Sequence, residues 1–310
     1  MSYVPVLALL AAVILVNGWT DAPNAIATPV AAGVLPFPAA AVLAGVCNLL
    51  GVVCTLRVSD AVARTMWSIA DFGPHALTAL CAALAATAVW GVAAWWFGIP
   101  TSESHALVSG LAGAALALGT QRLRLAPLLL VAVGLALSLV LGWALGRFMA
   151  ALLPMDRPGF YRRGQVVGAA LTAFAHGAQD GQKFLGVLAL SLTLGGGFAI
   201  PPWAGWACAG VMALGTVLGG RRIIDTVGQK MVRLDPRSGF AADLGCAASL
   251  VVCTLLGLPV STTHAKTAAI LGAGNHPDAA VASSLGAAWL LTFPGCAALA
   301  FLLVKLATRG

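Results

Sequence analysis

Ten long apolar segments dominate the chain and restrict it to folds that a lipid bilayer accepts. They lie near residues 3–33, 37–58, 75–97, 99–119, 126–149, 165–194, 202–220, 239–256, 258–274 and 280–306. A bilayer-spanning helix needs about 20 mostly apolar residues, and it satisfies its own backbone hydrogen bonds in lipid. Only 9% of the residues are charged, against about 25% in soluble domains. The sequence therefore predicts an all-α polytopic membrane protein and argues against a water-soluble globule.

The two halves of the chain carry the same polar motifs at a constant separation. GWTDAPNA in the first half aligns with GAQDGQKF in the second, and GIPTSESHA aligns with GLPVSTTHA. Three pairs of residues are each 159 positions apart: Asp21 and Asp180, Ser102 and Ser261, and His105 and His264. This register predicts two pseudo-symmetric repeats, as in secondary transporters, with a binding site at the interface of the repeats.

The duplication sets the predicted domain boundaries. Residues 1–150 form a first transporter repeat, 151–163 a short polar connecting loop and 164–310 a second transporter repeat. We expect 99–119 and 258–274 to be re-entrant helical hairpins, because each contains a Pro–Ser/Thr break flanked by glycines. Inverted repeats need an odd number of crossings per half. The stretches 147–163 and 221–237 are both basic, so loop charge leaves the number of crossings and the orientation open here.

Two aspartates interrupt apolar stretches at membrane depth. Each is flanked by neutral oxygen-bearing side chains: Asn17, Thr20 and Asn24 beside Asp21, and Gln179 and Gln182 beside Asp180. An intramembrane carboxylate is costly and usually marks a functional site. Carboxylates with neutral oxygens suit a hard monovalent cation or a proton relay. The alternative is that each aspartate caps a following half-helix. Either role predicts a broken helix at each motif.

The two hairpin motifs place hydroxyl side chains where a new helix starts: Ser102, Ser104, Ser261, Thr262 and Thr263. Gly-X-Pro ends the preceding segment. A helix N-terminus offers free N–H groups and a partial positive charge to an anion. Two such openings brought together by pseudo-symmetry predict an oxyanion cage, and simple N-capping is the alternative. His105 and His264 follow at the same helical position, where they orient the hairpins or relay protons.

Several classes of function lack support in the sequence. It has no Walker loop, no nucleophile elbow and no cysteine–histidine spacing typical of a structural metal. We therefore predict a chain that is not an enzyme, with no catalytic residues, no cofactor and no metal site. The net charge of +7 comes from basic residues in short loops. These loops fit the cytosolic side or anionic lipid, and nucleic-acid binding has no support.

At these residues the chain resembles the inorganic phosphate transporter (PiT) family, in its bacterial form. NGWTDAPNA and HGAQDGQK are similar to two signatures of that family, and GIPTSESHA and GLPVSTTHA are similar to its hairpin motifs. Residues 219–243 resemble the loop before its second hairpin. The resemblance covers nearly the whole chain. It implies a secondary active transporter that moves inorganic phosphate in symport with a proton or sodium, through inverted repeats with a site between the hairpins.

The resemblance also implies roles for single positions. The cation or coupling positions are Asp21, Asn24, Asp180 and Gln182, with Asn17, Thr20 and Gln179 as neighbouring candidates. The phosphate-binding positions are Ser102, Ser104, Ser261, Thr262 and Thr263. Lys183 matches a family lysine, which would counter substrate charge or pair with an aspartate.

Four positions depart from the family pattern. Thr20 and Gln179 replace residues beside the aspartates, which leaves the identity of the cation open. Glu103 replaces a small hydroxyl residue, and Lys266 stands where the family is apolar or small. Either Glu103 and Lys266 pair across the pseudo-twofold axis, or Glu103 titrates and carries the coupling proton.

Two other functions stay open from sequence. One is transport of another tetrahedral oxyanion, chiefly sulfate, and the other is a non-transporting membrane receptor on the same scaffold. Phosphate carries a proton at neutral pH, so a carboxylate acceptor favours it over sulfate. The expected location is the cell membrane, or the inner membrane of a cell with two membranes. Membrane lipid is an expected partner, and the 36 glycines permit a homo-oligomer.

Overall fold

The computed structural model of the chain is built almost wholly of helices. It describes residues 3–21, 23–99, 101–154, 157–193, 197–218, 224, 235–274 and 279–309. The helices in chain order are α1 (Val4–Thr20), α2 (Pro23–Ala31), α3 (Phe37–Thr55), α4 (Ala61–Trp67), α5 (Ala76–Trp96), α6 (Glu103–Leu118), α7 (Leu125–Leu152), α8 (Pro158–Thr193), α9 (Pro202–Leu218), α10 (Pro236–Leu255), α11 (Thr262–Ala273) and α12 (Ala279–Thr308). Most of the motif at 219–243, with Arg221, Arg222, Lys230 and Arg233, lies outside the described residues.

The length and apolar composition of its helices make this chain a multi-pass membrane protein. Six helices of the described chain are long and apolar enough to cross a bilayer, while α6 and α9 are shorter apolar helices. Large apolar side chains such as Leu129, Trp143 and Leu290 are exposed on the outer faces of these helices. Lipid is the solvent in which such faces are stable. The predicted all-α polytopic fold is confirmed.

Each half contains a helical hairpin, but its bounds differ from the predicted 99–119 and 258–274. Each of those segments holds one helix, α6 or α11, and the preceding helix, α5 or α10, forms the other arm, because the turn lies at the start of the predicted segment. In the first half α5 leads to α6 through Gly98, whose φ is +66°, and in the second half α10 leads to α11 through Gly257, whose φ is +69°. This left-handed backbone favours glycine, and it closes the same C-terminal hydrogen-bond pattern in both helices. At the base of the first hairpin, Ala70 pairs with Leu123. The hairpin therefore returns to the side from which it started.

The two halves are interlocked rather than side by side. The hairpin helix α6 packs on α12 of the second half, and α11 packs on α7 of the first half. Helix α3 packs on α8, and α1 packs on α9. The approach of α3 to α8 is close, because a Cβ added at Gly177 would lie 2.2 Å from the carbonyl oxygen of Asn48. The hairpin tips of both halves consequently meet in the middle of the molecule.

The predicted break in the second half is wrong, whereas the break in the first half is present. Helix α1 ends before Asp21 and α2 begins at Pro23, because proline has no N–H to continue the ladder. The second motif has no proline, and α8 runs unbroken from Pro158 to Thr193 through Asp180. Asp180 therefore caps no half-helix and presents its carboxylate from the side of a continuous helix.

Candidate functional site

The two motif aspartates meet at the centre of the molecule. Asp21 follows the last residue of α1, and Asp180 projects from the middle of α8. They are 2% and 1% exposed. The amide nitrogen Nδ2 of Asn17 donates to Oδ2 of Asp21 at 3.3 Å and to Oδ2 of Asp180 at 3.0 Å. One amide thus holds two buried carboxylates together.

Around Asp21 the structure gathers neutral oxygens from both halves. The hydroxyl of Thr263, at the start of α11, donates to Oδ1 of Asp21 at 3.0 Å and approaches the carbonyl oxygen of Thr101 at 3.3 Å. Nδ2 of Asn24 donates to that hydroxyl at 3.1 Å. The carboxylate, hydroxyl and carbonyl are called the Asp21 oxygen set below. Such oxygens are the ligands that hard cations prefer.

Around Asp180 an equivalent set of oxygens surrounds a lysine. Nζ of Lys183 lies 2.5 Å from each of three oxygens: Oδ1 of Asp180, Oγ of Ser104 and the carbonyl oxygen of Val260. Ser104 also donates to the Val260 carbonyl at 3.1 Å. These three oxygens are the Asp180 oxygen set. The predicted pairing of Lys183 with an aspartate is present in the structure.

The N-termini of α6 and α11 face this centre. Ser102 caps α6 by accepting from the backbone N–H of His105 at 3.3 Å, and Ser261 caps α11 by accepting from that of His264 at 3.1 Å. Both serines therefore cap their helices, and each hydroxyl still has its hydrogen to donate. Thr262, in the first turn of α11, lies 3.5 Å from Oδ2 of Asp180. The rings of His105 and His264 are in contact, with centroids 4.5 Å apart.

His176 belongs to the cluster, and sequence reasoning gave it no role. Its Nε2 lies 3.3 Å from Oδ2 of Asp180, and its Nδ1 lies 2.9 Å from Oδ1 of Asn48. His176, Asp21 and Asp180 offer ligand atoms that lie within 4.8 Å of one another. The signal was its position four residues before Asp180, since such residues share a helix face. This trio is where the described residues could hold a metal ion.

Three predicted coupling neighbours make their hydrogen bonds away from the aspartates. The Thr20 hydroxyl donates to the Val16 carbonyl at 2.8 Å. Gln179 donates to the Leu258 carbonyl at 2.8 Å, and Gln182 accepts from the backbone N–H of Val62 at 3.1 Å. The two glutamines therefore tie α8 to the second hairpin and to α4. Sequence proximity to Asp180 did not reveal these directions.

The predicted pairing of Glu103 with Lys266 is wrong. Lys266 forms an ion pair with Asp243 and lies 3.4 Å from the hydroxyl of Thr28. Glu103 is 2% exposed, and neither of its carboxyl oxygens has a hydrogen-bond partner among the described residues. A Cβ added at Gly91 would lie 2.1 Å from Oε1 of Glu103, so this carboxyl group packs against α5. Asp243, on α10, provides the nearer charge for Lys266.

The fold and this centre together define a class of protein. Two repeats of membrane helices enclose polar side chains from both halves, and the two aspartates, Lys183 and the hairpin hydroxyls are buried. Paired hairpins and a central site at a repeat interface are the architecture of secondary transporters.

Comparisons with known proteins identify the family. A model described as the phosphate transporter family matches residues 17–157 and 151–300, once in each half. The chain belongs to the phosphate transporter family, and it is a transporter rather than an enzyme. A probable low-affinity inorganic phosphate transporter of Bacillus subtilis is 34% identical over 297 residues, which cover 90% of this chain and 89% of that protein. The protein of the same description from Rhizobium meliloti is 36% identical over 300 residues, with 91% and 89% covered.

A solved structure shares the fold. The structure described as "The sodium-dependent phosphate transporter" superposes with a TM-score of 0.90 over 99% of this chain and 98% of its own, at 21% sequence identity. Both the family match and this fold agree with the resemblance read from the four motifs. The two-repeat helical architecture predicted from the sequence is therefore confirmed.

Proposed function

We propose that the chain carries inorganic phosphate across the membrane in symport with a cation, either a proton or sodium. The observation that carries this proposal is the meeting of two carboxylate-centred oxygen sets with the facing N-termini of α6 and α11. Oxygen sets suit a cation, and helix N-termini suit an anion. Membership of the phosphate transporter family and the names of its bacterial relatives support phosphate as the anion.

The proposed cation or coupling group is centred on the two aspartates. Asp21 and Asp180 supply the negative charge, and Asn17 bridges them. Asn24 is a further member, in direct contact with the Asp21 oxygen set. Thr20, Gln179 and Gln182 support the structure around the two aspartates. Glu103 is a candidate carrier of a coupling proton, because a buried carboxyl group without a partner is costly in its charged form.

The proposed phosphate site is formed by the first turns of α6 and α11. Ser104, Thr262 and Thr263 contribute hydroxyls, while Ser102 and Ser261 cap the helices and keep a hydroxyl hydrogen to donate. Lys183 contributes a positive charge beside Ser104. Donors of this kind also fit sulfate. A cluster rich in carboxyl groups favours the anion that carries its own proton at neutral pH.

We place the domain boundaries as the duplication suggests, with repeats at 1–150 and 164–310 joined by a loop at 151–163.

Inversion of the repeats is supported by a count of crossings in the first half. The α1–α2 segment, α3 and α7 each have the length and apolar composition for one crossing, and the α5–α6 hairpin returns to its own side. That odd number reverses the second half. The cell membrane is the proposed location.

Uptake of radiolabelled phosphate into proteoliposomes tests the function. Uptake that follows an imposed proton or sodium gradient and resists excess sulfate is expected, and the effective gradient identifies the cation. Sulfate entry without phosphate entry would assign the other oxyanion. A protein that carries neither anion under either gradient would contradict transport and favour the receptor alternative.

A further inference from the structure

The two oxygen sets are copies of one another under the internal repeat. Residues 159 positions apart supply the same ligand type in each: Asp21 and Asp180, Thr263 and Ser104, and Val260 and Thr101. In each set a hairpin hydroxyl donates toward the carbonyl at the tip of the opposite hairpin, at 3.3 Å for Thr263 and 3.1 Å for Ser104. The repeat therefore builds one carboxylate–hydroxyl–carbonyl site twice.

The residue that completes each set differs between the halves. Asn24 stands in the Asp21 oxygen set, and Lys183 stands at the equivalent position, 159 residues later, in the Asp180 oxygen set. Both side chains contact the hairpin hydroxyl of their set. An amide is neutral, whereas an ammonium carries one positive charge and has three donors. Its Nζ is surrounded by the three oxygens at 2.5 Å each.

The Asp21 oxygen set lacks such a charge. No described lysine or arginine forms an ion pair with Asp21. Oδ1 of Asn24 is buried and has no hydrogen-bond partner among the residues that the structure describes. Asn24 is 3% exposed. A buried carboxylate needs a compensating charge. Oδ1 of Asn24 offers this set a further ligand oxygen, and a bound cation would supply the missing positive charge.

We propose that Lys183 is a covalently tethered cation that permanently fills one of two pseudo-symmetric cation sites, so that, of the two oxygen sets, only the Asp21 oxygen set binds a mobile cation. This inference rests on the proposed phosphate–cation symport and defines its ion count. If an asparagine replaced Lys183, as Asn24 stands in the Asp21 oxygen set, the Asp180 oxygen set would bind sodium. The chain therefore moves one cation fewer per phosphate than a version with two open sets.

The test replaces the lysine by the residue of its symmetric counterpart, Lys183→Asn. In proteoliposomes, the membrane potential at which a fixed phosphate gradient gives no net flux reports the number of cations moved with each phosphate. We expect this number to rise by one in K183N relative to the unmodified protein. A K183N protein that transports with an unchanged number overturns the proposal.

Equilibrium binding of radioactive sodium to the purified proteins tests the same point without transport. K183N is expected to bind one sodium ion per chain more than the unmodified protein, and the double variant D180N/K183N is expected to lose that gain. Absence of the extra ion in K183N, or its persistence in the double variant, overturns the proposal even when K183N transports nothing.

A matched control uses Lys266, the second fully buried lysine among the described residues. Lys266→Asn also removes an ammonium from a buried aspartate, here Asp243, but outside the two oxygen sets. No extra sodium is expected, and an equal gain in K266N would overturn the assignment to the repeated site. If the unmodified protein takes up no phosphate, the proposed function fails, and the sodium count alone still decides the role of Lys183.

Discussion

Single residues decide how much charge the buried centre carries. Asp21 and Asp180 are equivalent by register, yet Asp180 has an ammonium at 2.5 Å while Asp21 has an amide and a hydroxyl. The sequence predicted both aspartates, their neighbouring hydroxyls and Lys183. It could not predict that Gln179 and Gln182 form hydrogen bonds away from the aspartates, because those contacts join segments 79 and 120 residues apart. Nor could it predict that Lys266 pairs with Asp243, because that contact depends on how the consecutive helices α10 and α11 pack.

Asp21→Asn is expected to weaken cation binding without unfolding the protein. The amide oxygen of the variant can still accept from Thr263, but it carries no charge. A hydrogen bond to a charged group contributes about 1.5–3 kcal/mol, and we expect a loss of that order in the free energy of cation binding. That corresponds to roughly 10–100-fold in affinity. The measurement is the concentration of coupling cation that gives half-maximal phosphate uptake.

The control for this substitution is Asp71→Asn. Asp71 is half exposed and lies 4.0 Å from Arg122, and an exposed pair of this kind is worth about 0–1 kcal/mol. Its half-maximal cation concentration should match that of the unmodified protein. Equal responses of the two variants would contradict a cation site at Asp21.

Glu103→Gln tests whether this buried carboxyl group carries a proton. The substitution keeps the shape against Gly91 and removes only the ability to gain or lose a proton, so the helices should pack as before. We expect uptake driven by a proton gradient to fall sharply, while exchange of phosphate against phosphate without a gradient continues. Full proton-driven uptake by E103Q would remove Glu103 from the coupling mechanism.

Short sequence motifs predict several of the helices and turns. Where the structure differs from the prediction, the cause lies in the local sequence. The Pro–Ser/Thr breaks and flanking glycines at equal register indicated a hairpin in each half, but they did not reveal that the long preceding helix, α5 or α10, is its first arm. The motif around Asp180 looks broken in sequence because it is polar, but without a proline the backbone of α8 stays continuous. Helix α4 was not predicted, since seven residues with Arg64 among them give no apolar period.

The contact of α3 with α8 depends on glycine at position 177. Gly177→Ala would bring a Cβ within 2.2 Å of a backbone oxygen of α3, and overpacking of this kind costs about 1–3 kcal/mol. The thermal unfolding midpoint in detergent should fall. Gly210→Ala on α9 is the control, because a Cβ there meets no described atom within 4 Å and alanine favours a helix by about 1 kcal/mol. A drop in G210A as large as in G177A would contradict this account.

At the scale of the whole molecule, the interlocked halves explain why the site needs both repeats. Each oxygen set takes its aspartate from one half and its hydroxyl from the hairpin of the other half: Asp21 with Thr263, and Asp180 with Ser104. A shift of either hairpin therefore changes both sets at once. In the proposed symport, such sharing would tie cation and anion binding to one movement of the hairpins. The constant separation of the motifs predicted the two repeats, but it did not predict that each aspartate contacts the hairpin of the other repeat.

Inverted repeats make a direct prediction about the two sides of the membrane. Gln121 and Ala280 are 159 residues apart, and both are exposed near the starts of α7 and α12. An odd number of crossings per half places equivalent positions on opposite faces. In a background whose seven free cysteines are replaced, Gln121→Cys and Ala280→Cys should each react with a membrane-impermeant maleimide from one side only, and from opposite sides. Labelling of both cysteines from the same side would show that the repeats are parallel and would contradict their inversion.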